Sequence, residues 1–242
     1  SIPRSINDPI TTNDVNIGGF LNMLVAARDS NIRRFIFAAS SSTYGDNTDL
    51  PKKEDNIGRP LSPYALTKYV DELYADVFAK TYGIEYIGLR YFNVFGRRQD
   101  PNSMYAAVIP LFIKQFLNHK QPKINGDGLN TRDFTYIDNV LHMNMLALNT
   151  TNTQAVNQIY NTAGGGRTSI NKLANEIKSC LVQYDFSISD INPIYGAYRL
   201  GDIPHSFASI DKAKQLLGYS SLVSFQEGLN ETVKWYVNNK NY

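Results

Sequence analysis

The sequence predicts an α/β protein that contains part of a doubly wound parallel sheet and a smaller α/β lobe. Two short apolar runs, 34–40 and 84–91, have the length and composition of buried parallel strands. Each run follows a stretch with helical apolar spacing, so residues 1–95 read as helix, strand, helix, strand. The 242 residues, 43% of them hydrophobic, suffice for one large domain or one and a half smaller ones.

Local signals define the elements of this first part. Apolar residues recur at helical spacing from Asn13 to Ser30, whereas segment 1–5 reads as a loop. A second helix begins at Ser62 and Pro63, because serine can cap a helix and proline is well placed at its first position. This helix is predicted to extend to about Tyr82.

The remainder of the chain predicts shorter elements. Helices are expected over 108–117, 137–148, 169–180, 211–217 and 225–237, with a strand end and turn at 124–128 and a short strand at 158–162. Such a mixture is typical of a smaller lobe that covers a substrate.

Charge and composition exclude several classes of function. The net charge of +2, from 24 basic and 22 acidic residues, gives no electrostatic reason to expect nucleic acid or an anionic membrane as a partner. Cys180 is the only cysteine, which favours a reducing compartment. His119, His142 and His205 lie far apart, so no metal site is predicted. No apolar run approaches the ~18 residues of a membrane span and no signal peptide is visible, so we expect a cytoplasmic protein.

Three polar residues suggest acid/base chemistry. Tyr64 and Lys68 lie four apart, and therefore on one face of the predicted helix, where the ammonium can favour the phenolate. That spacing alone is common, and a half-buried tyrosine beside a solvated lysine is the plain alternative. Ser40, however, ends an apolar strand and begins a row of hydroxyls, and ligands of open α/β sheets bind at that edge. Together these features favour a site for a sugar hydroxyl, provided that a hydride acceptor lies beside it.

Longer motifs carry a resemblance to a known family. The chain resembles the extended short-chain dehydrogenase/reductases, and within them the UDP-hexose 4-epimerases, particularly those acting on UDP-N-acetylhexosamines. The resemblance covers nearly the whole chain. It rests on segments 37–45, 62–68, 89–96, 125–128, 131–134 and 199–202.

The resemblance implies a domain division. Residues 1–100 would be the remainder of a Rossmann-type NAD-binding domain, and 101–242 mainly a nucleotide-sugar-binding lobe, with segments near 125–150 returning to the first domain. The family's glycine-rich turn for the NAD pyrophosphate is missing, because the turn at 164–169 lacks its glycine spacing and lies in the wrong half. We expect that roughly 100 residues of the fold precede Ser1, and that the 242 residues alone are inactive and aggregate or melt non-cooperatively.

The resemblance also implies catalytic roles. Tyr64 would be the base that takes the proton of the sugar 4-hydroxyl, Lys68 its partner and a donor to the nicotinamide ribose, and Ser40 a contact of the 4-hydroxyl. Hydride would pass from C4 to NAD⁺ and return to the other face of a 4-keto sugar. The residues implied to contact NAD are Ala38, Ala39, Tyr64, Lys68, Tyr91 and Val94.

A nucleotide-sugar site is implied as well. Arg132 and Arg199 would bind the pyrophosphate, since guanidinium groups pair with phosphate oxygens, and Asp202 would hold the uridine ribose. A surface ion pair remains the alternative for each arginine, and core packing for the apolar positions. The full implied set is Ser1, Ser41, Ser42, Asn93, Gln99, Ala107, Val108, Ile124, Asn125, Arg132, Arg199, Asp202 and Ser206.

Ser206 carries the expectation about the sugar. In the hexose epimerases, the position four residues beyond the aspartate that matches Asp202 controls space near the C2 substituent. A tyrosine there would crowd an N-acetyl group, whereas serine leaves room. The resemblance therefore favours UDP-N-acetylglucosamine and UDP-N-acetylgalactosamine.

Relatives also suggest a homodimer. In them, the helices that match 13–30 and 63–82 pair across a two-fold axis as a four-helix bundle. The sequence itself shows only that both helices are amphipathic, and the apolar positions would also serve the sheet.

Two other functions stay open. A nucleotide-sugar 4,6-dehydratase would need an acidic pair near the serine strand, and segment 40–43 contains no aspartate or glutamate. A non-catalytic fragment that binds sugar nucleotides would fit the missing glycine-rich turn, but the intact set of Ser40, Tyr64 and Lys68 argues for an enzyme.

Overall fold

The computed structural model describes residues 1–103, 106–198 and 204–239. The chain forms two compact units. Unit 1 comprises Ser1–Phe92, Val140–Ala163 and Ala208–Ser220, and unit 2 comprises Asn93–Asn139, Gly164–Phe207 and Ser221–Tyr242. The first division of the chain thus falls after Phe92, where the sequence suggested 100, and the segments that return to unit 1 are 140–163 and 208–220.

The strands of the protein are short, and most of its helices are longer. The strands are β1 (Arg34–Ser40), β2 (Glu85–Tyr91), β3 (Val94–Phe95), β4 (Lys123–Asn125), β5 (Thr131–Arg132), β6 (Thr135–Tyr136), β7 (Gln158–Thr162), β8 (Thr168–Ser169) and β9 (Ile194–Gly196). The helices are α1 (Ile2–Asn7), α2 (Pro9–Asn13), α3 (Gly19–Asp29), α4 (Pro63–Tyr82), α5 (Val108–Leu117), α6 (Ile137–Asn149), α7 (Ile170–Val182), α8 (Asp211–Leu217) and α9 (Phe225–Asn238).

Unit 1 is built on a parallel sheet in the order β1-β2-β7. Ser40 pairs with Tyr91 and Tyr91 with Thr162, so the three strands end at one level. Fully buried Ile87 and Leu89 fill the centre of the sheet, as expected for a strand covered on both faces. The predicted α/β class and the two predicted strands are confirmed.

Helix α4 has the ends that the sequence predicts. The Ser62 hydroxyl accepts from the Ala65 amide at 3.1 Å, and Pro63 occupies the first helical position. Gly83, with φ +74°, ends the helix in the left-handed conformation that glycine adopts without strain. The cap thereby fixes Tyr64 in the first turn of the helix.

The prediction of a loop at the start of the chain was wrong. Residues 2–7 form α1, which the Ser1 side chain caps and in which proline occupies the first turn. A first-turn proline costs a helix no hydrogen bond, and α1 packs against α4.

A buried ion pair joins the sheet of unit 1 to its helix. Arg90 on β2 is 3% exposed and binds Glu72 of α4 through two parallel contacts of 2.9 and 2.7 Å. Its third contact is the Glu54 carbonyl at 2.9 Å, and its guanidinium lies 4.8 Å from the centre of the Tyr44 ring. These contacts join β2, α4 and the segment that follows β1.

Unit 2 has its own core, and its described residues form three two-stranded ladders, β3-β6, β4-β9 and β5-β8. Helices α5, α7 and α9 bury Phe112, Ile177 and Val233 in it. Asn139 is 1% exposed and joins distant segments, because its side chain bonds the backbone of Leu222 and Val223 at 2.7–3.0 Å. Within the described ranges, no helix is both long and apolar enough to cross a membrane.

Candidate active site

The carboxyl end of β1 presents a set of hydroxyl groups. Ser40, the last residue of the strand, is 9% exposed. Its Oγ accepts hydrogen bonds from the Ser42 amide at 3.2 Å and from the Ser42 hydroxyl at 2.8 Å. The chain then turns through a 3₁₀ helix, Ser41–Tyr44, which begins at this serine pair. The sequence predicted these hydroxyls at a strand end, and the structure places them there.

Helix α4 brings Lys68 to the same strand. The Lys68 ammonium donates to the Ala38 carbonyl at 3.2 Å, two residues before Ser40, and to the Asp71 carboxylate at 3.1 Å. Tyr64 lies one turn earlier on α4 and is half-buried. The strand end and the helix face that the sequence predicted separately thus meet at Lys68.

Sequence reasoning missed Asp71, which lies three residues beyond Lys68 on the same helix face. Its side chain is completely buried. Burial raises the pKa of the Asp71 carboxyl to about 6, against the opposing attraction and hydrogen bond of Lys68 and with a further increase from Glu72. An acid three residues from a lysine was the available signal. Its burial could not be deduced from the helical period alone.

Other residues implied to contact NAD lie near this strand end or in unit 2. Ala38 is exposed and Ala39 is buried, next to each other on β1. Tyr91 ends β2, and its hydroxyl bonds the Asn144 side chain at 3.1 Å. Burial raises the pKa of Tyr91, although Asn144 opposes the shift. Val94 belongs to unit 2, on β3.

Unit 2 contains a cavity of about 270 Å³. Five of its lining residues were implied by the resemblance: Asn93, Val108, Ile124, Asn125 and Arg132. The others were not: Ala106, Leu111, Phe112, Lys123, Asn130, Phe134 and Ile170. Asn130 lies two residues before Arg132, and in an extended segment residues two apart face the same side. This spacing could have predicted that Asn130 lines the cavity together with Arg132. The lining combines cationic and amide side chains with an apolar wall, as a site for an anionic ligand with a planar ring requires.

Backbone contacts orient two of these cavity residues. Asn93, with φ +32°, donates from its side chain to the Asp133 carbonyl at 3.0 Å. The Arg132 guanidinium donates to the carbonyls of Thr131 at 2.9 Å and Pro204 at 3.3 Å. A second cavity of about 160 Å³ in unit 2 is lined by Asn93, Val108, Val94 and Ala107 among others.

The remaining implied residues lie elsewhere. Gln99 donates to the Val94 carbonyl at 3.3 Å and does not line either cavity described above. Ser206 joins the segment of Arg132, because its amide donates to the Thr131 carbonyl at 3.0 Å. Ser1 is exposed at the start of α1. Arg199 and Asp202 lie outside the described residues.

No metal centre is found in the described parts of the chain. Among 1–103, 106–198 and 204–239, no three side chains of the types His, Cys, Asp and Glu are grouped as ligands.

Fold and strand-end chemistry together define a nucleotide-dependent α/β enzyme class, and comparison with known proteins identifies the family. Residues 1–163 match the family described as NAD dependent epimerase/dehydratase. A UDP-glucuronate 4-epimerase of Thermodesulfobacterium geofontis is 32% identical over 97% of this chain and 68% of its own length. The protein belongs to the NAD-dependent epimerase/dehydratase family.

Solved structures agree with this assignment. A UDP-N-acetylglucosamine 4-epimerase from Methanobrevibacter ruminantium, in complex with UDP-N-acetylmuramic acid, is 40% identical, with a TM-score of 0.91 over 99% of this chain and 74% of its own. A UDP-glucose 4-epimerase from Thermus thermophilus, in complex with NAD, is 29% identical, with a TM-score of 0.84 over 98% of this chain and 74% of its own.

The strand end of unit 1 fits the nicotinamide riboside part of NAD, the family's cofactor. An ammonium held beside the exposed Ala38 presents N–H donors that suit ribose hydroxyls. The small, exposed side chain of Ala38 leaves this face of the strand open to a planar ring. The glycine-rich turn that binds the pyrophosphate is not among these 242 residues.

The Asp71 carboxyl predicts a pH-dependent stability. Its ordinary pKa of 3.8 is raised to about 6 in the fold, so the unfolded chain loses its proton first as the pH rises. The free energy of unfolding of the full-length wild type, relative to Asp71→Asn, should fall by up to about 3 kcal/mol between about pH 4 and about pH 6 and then level off.

Urea unfolding followed by fluorescence across this pH range measures the difference. Asp76→Asn, which removes the exposed partner of Lys80 on the same helix, should leave the wild-type dependence intact. Parallel curves for wild type and Asp71→Asn would contradict the prediction.

Proposed function

We propose that this protein is an NAD-dependent 4-epimerase that interconverts UDP-N-acetylglucosamine and UDP-N-acetylgalactosamine. The observation that carries the proposal is the position of the Lys68 ammonium, 3.2 Å from the Ala38 carbonyl at the end of β1. It joins the strand of Ser40 to the helix of Tyr64. Tyrosine, lysine and a serine hydroxyl at one sheet edge are what removal of a proton from a sugar hydroxyl requires.

Each residue of this set has a distinct role in the proposed reaction. Tyr64 takes the proton of the 4-hydroxyl and later returns it, and Lys68, one turn further along the same helix, brings positive charge to this part of the site. Ser40 donates to the sugar oxygen at C4. Bound NAD supplies the acceptor and donor of hydride. Because the sugar is first oxidised and then reduced, no external oxidant is consumed.

The lining of the cavity in unit 2 supports a nucleoside diphosphate as the part of the substrate that binds there. Arg132 and Lys123 bring positive charge to its lining, and guanidinium groups bind phosphate oxygens in pairs. Phe112 and Phe134 supply apolar wall for a flat base. By the family resemblance, Arg199 and Asp202 would add contacts to the pyrophosphate and ribose.

The identity of the sugar is the most specific part of the proposal. Ser206 offers room for a C2 N-acetyl group, and the 40%-identical solved relative holds an N-acetylated UDP-sugar. Other relatives carry the names of UDP-glucose and UDP-glucuronate epimerases, so these sugars are the competing substrates.

A dehydratase would need carboxylates that the segment after Ser40 does not contain. Elimination of water across C5 and C6 needs an acid and a base beside the serine strand. The 3₁₀ helix after Ser40 has the sequence Ser-Ser-Thr-Tyr, with no carboxylate. We therefore favour the epimerase, although the family contains both activities.

The first test follows product formation by the full-length protein. With NAD and UDP-N-acetylglucosamine, we expect UDP-N-acetylgalactosamine signals in the proton NMR spectrum. Tyr64→Phe should lower kcat by about 10²–10⁴-fold, because the general base is lost. Tyr82→Phe makes the same change at an exposed position of the same helix and should be neutral. A 4-keto-6-deoxy product would identify a dehydratase instead, and absence of conversion would favour a binding role.

A second test addresses the sugar. Ser206→Tyr should lower kcat/KM for the acetylated pair far more than for UDP-glucose and UDP-galactose, because the ring would occupy the space of the N-acetyl group. The ratio of the two kcat/KM values, measured in competition, reports this effect. Ser209→Tyr, at a half-buried serine of unit 1, provides the control. Equal losses on both sugar pairs would defeat the assignment.

We also propose that the enzyme is a homodimer through a four-helix bundle. Leu66, Leu73 and Val77 lie on one side of α4 and are about half exposed, and Val15 and Met23 are exposed on the adjacent helical segment of the same unit. A stripe of this kind is typical of an interface between helices. Two helices from each copy would complete the bundle.

The dimer proposal predicts that Leu73→Glu yields a monomer. A carboxylate at the centre of the stripe would have to be buried without a partner. Light scattering after size-exclusion chromatography gives the mass. Leu222→Glu, at an exposed leucine of unit 2, should leave the mass of the wild type unchanged. A monomeric wild type, or a dimeric Leu73→Glu, would exclude this interface.

A further inference from the structure

The proposed reaction does not use Asp71, yet this carboxylate contacts the ammonium on which the reaction depends. We propose that Asp71 is a positioning residue, which holds the Lys68 ammonium against the Ala38 carbonyl at the end of β1. This inference rests on the proposed function of Lys68. Asp71 itself touches neither sugar nor cofactor in the proposal.

Two acceptors on different elements fix the position of the ammonium. A lysine side chain is long and flexible, and a single hydrogen bond leaves it several rotamers. Lys68 bonds a backbone carbonyl of β1 and a carboxylate of its own helix, at 3.2 and 3.1 Å. Because the strand and the helix are both regular, these acceptors define one point between them. The third N–H of the ammonium can then serve a ligand or Tyr64.

Stability alone gives a poor account of this carboxylate. Asp71 is 0% exposed, and within the described residues its Oδ1 has no hydrogen-bond partner. A buried carboxylate with an unsatisfied oxygen destabilises a fold. The ordinary form of such a pair occurs on the same helix: Lys80 and Asp76 contact each other at 2.6 Å with side chains 73% and 40% exposed. The Lys68 pair differs from it, because Asp71 is buried and Lys68 also contacts the end of β1.

Among the neighbouring charged groups, Lys68 is the cation that pairs with Asp71. Glu72, the next residue, repels it, and Arg90 on β2 is engaged by that same Glu72. Removal of the Asp71 charge should therefore affect mainly the position of the Lys68 ammonium.

The test compares Asp71→Asn with Asp76→Asn in the full-length protein, without assuming activity. Brief acetylation with acetic anhydride, followed by peptide mass spectrometry, gives the reactivity of Lys68 relative to the exposed Lys234. The contact with Asp71 holds the Lys68 side chain only 19% exposed, so Asp71→Asn should free this side chain and raise its relative acetylation rate severalfold. Asp76→Asn should leave Lys68 unchanged. Equal Lys68 rates in wild type and Asp71→Asn overturn the proposal.

Kinetics of the epimerase supply a second readout. Asp71→Asn should lower kcat about tenfold, while KM for the UDP-sugar changes less than about twofold. KM should change little because the cavity proposed to bind the UDP part is not altered by the substitution. In a Lys68→Met background, Asp71→Asn should have no further effect on kcat, since its role passes through Lys68. An additive loss in that background overturns the proposal.

The two readouts separate this inference from the proposed function. If the wild type converts no UDP-sugar, the proposed function fails, and the acetylation rates still decide whether Asp71 holds Lys68. If the wild type converts UDP-sugars and the acetylation rates are equal, the function stands and the positioning role fails.

Discussion

The buried charge of Arg90 on β2 constrains how the helix and loop around it pack in unit 1. A guanidinium that is 3% exposed on the central strand of the sheet must be neutralised within the protein. The carboxylate of Glu72 does this from α4, and the segment after β1 adds the Glu54 carbonyl and the Tyr44 ring. One buried charge on β2 therefore holds both the helix that carries Lys68 and the segment that follows Ser40.

Helix α4 consequently has two buried acids in succession with different partners. Glu72 faces the sheet and binds Arg90, while Asp71 faces the strand end and binds Lys68. The first pair is bidentate and saturated, which suits a structural contact. The second leaves one carboxylate oxygen unsatisfied among the described residues. Its cost is tolerable because the first pair already secures the helix.

Local signals predicted what local physics determines. The strand over 34–40, the capped start of α4 and the helix over 108–117 follow from apolar period and capping, and the structure contains them. The helix α1 was missed because packing against α4, not propensity, stabilises it. The two-residue strands of unit 2 were missed because they are defined by pairing between distant segments. Lys123 was missed as a cavity residue for the same reason. Asn93 and Arg132 were found through the motif resemblance.

The serine pair after β1 fixes the direction of one hydrogen bond. A hydroxyl oxygen has two lone pairs, and at Ser40 both are taken by the amide and hydroxyl of Ser42. Ser40 is left with its own proton and can act towards a ligand only as a donor. A sugar oxygen facing it can accept equally well as a hydroxyl or as a ketone. In the proposed reaction, the same contact would therefore persist while the sugar carbon is oxidised and reduced, and Ser40 would need no rearrangement between the two halves.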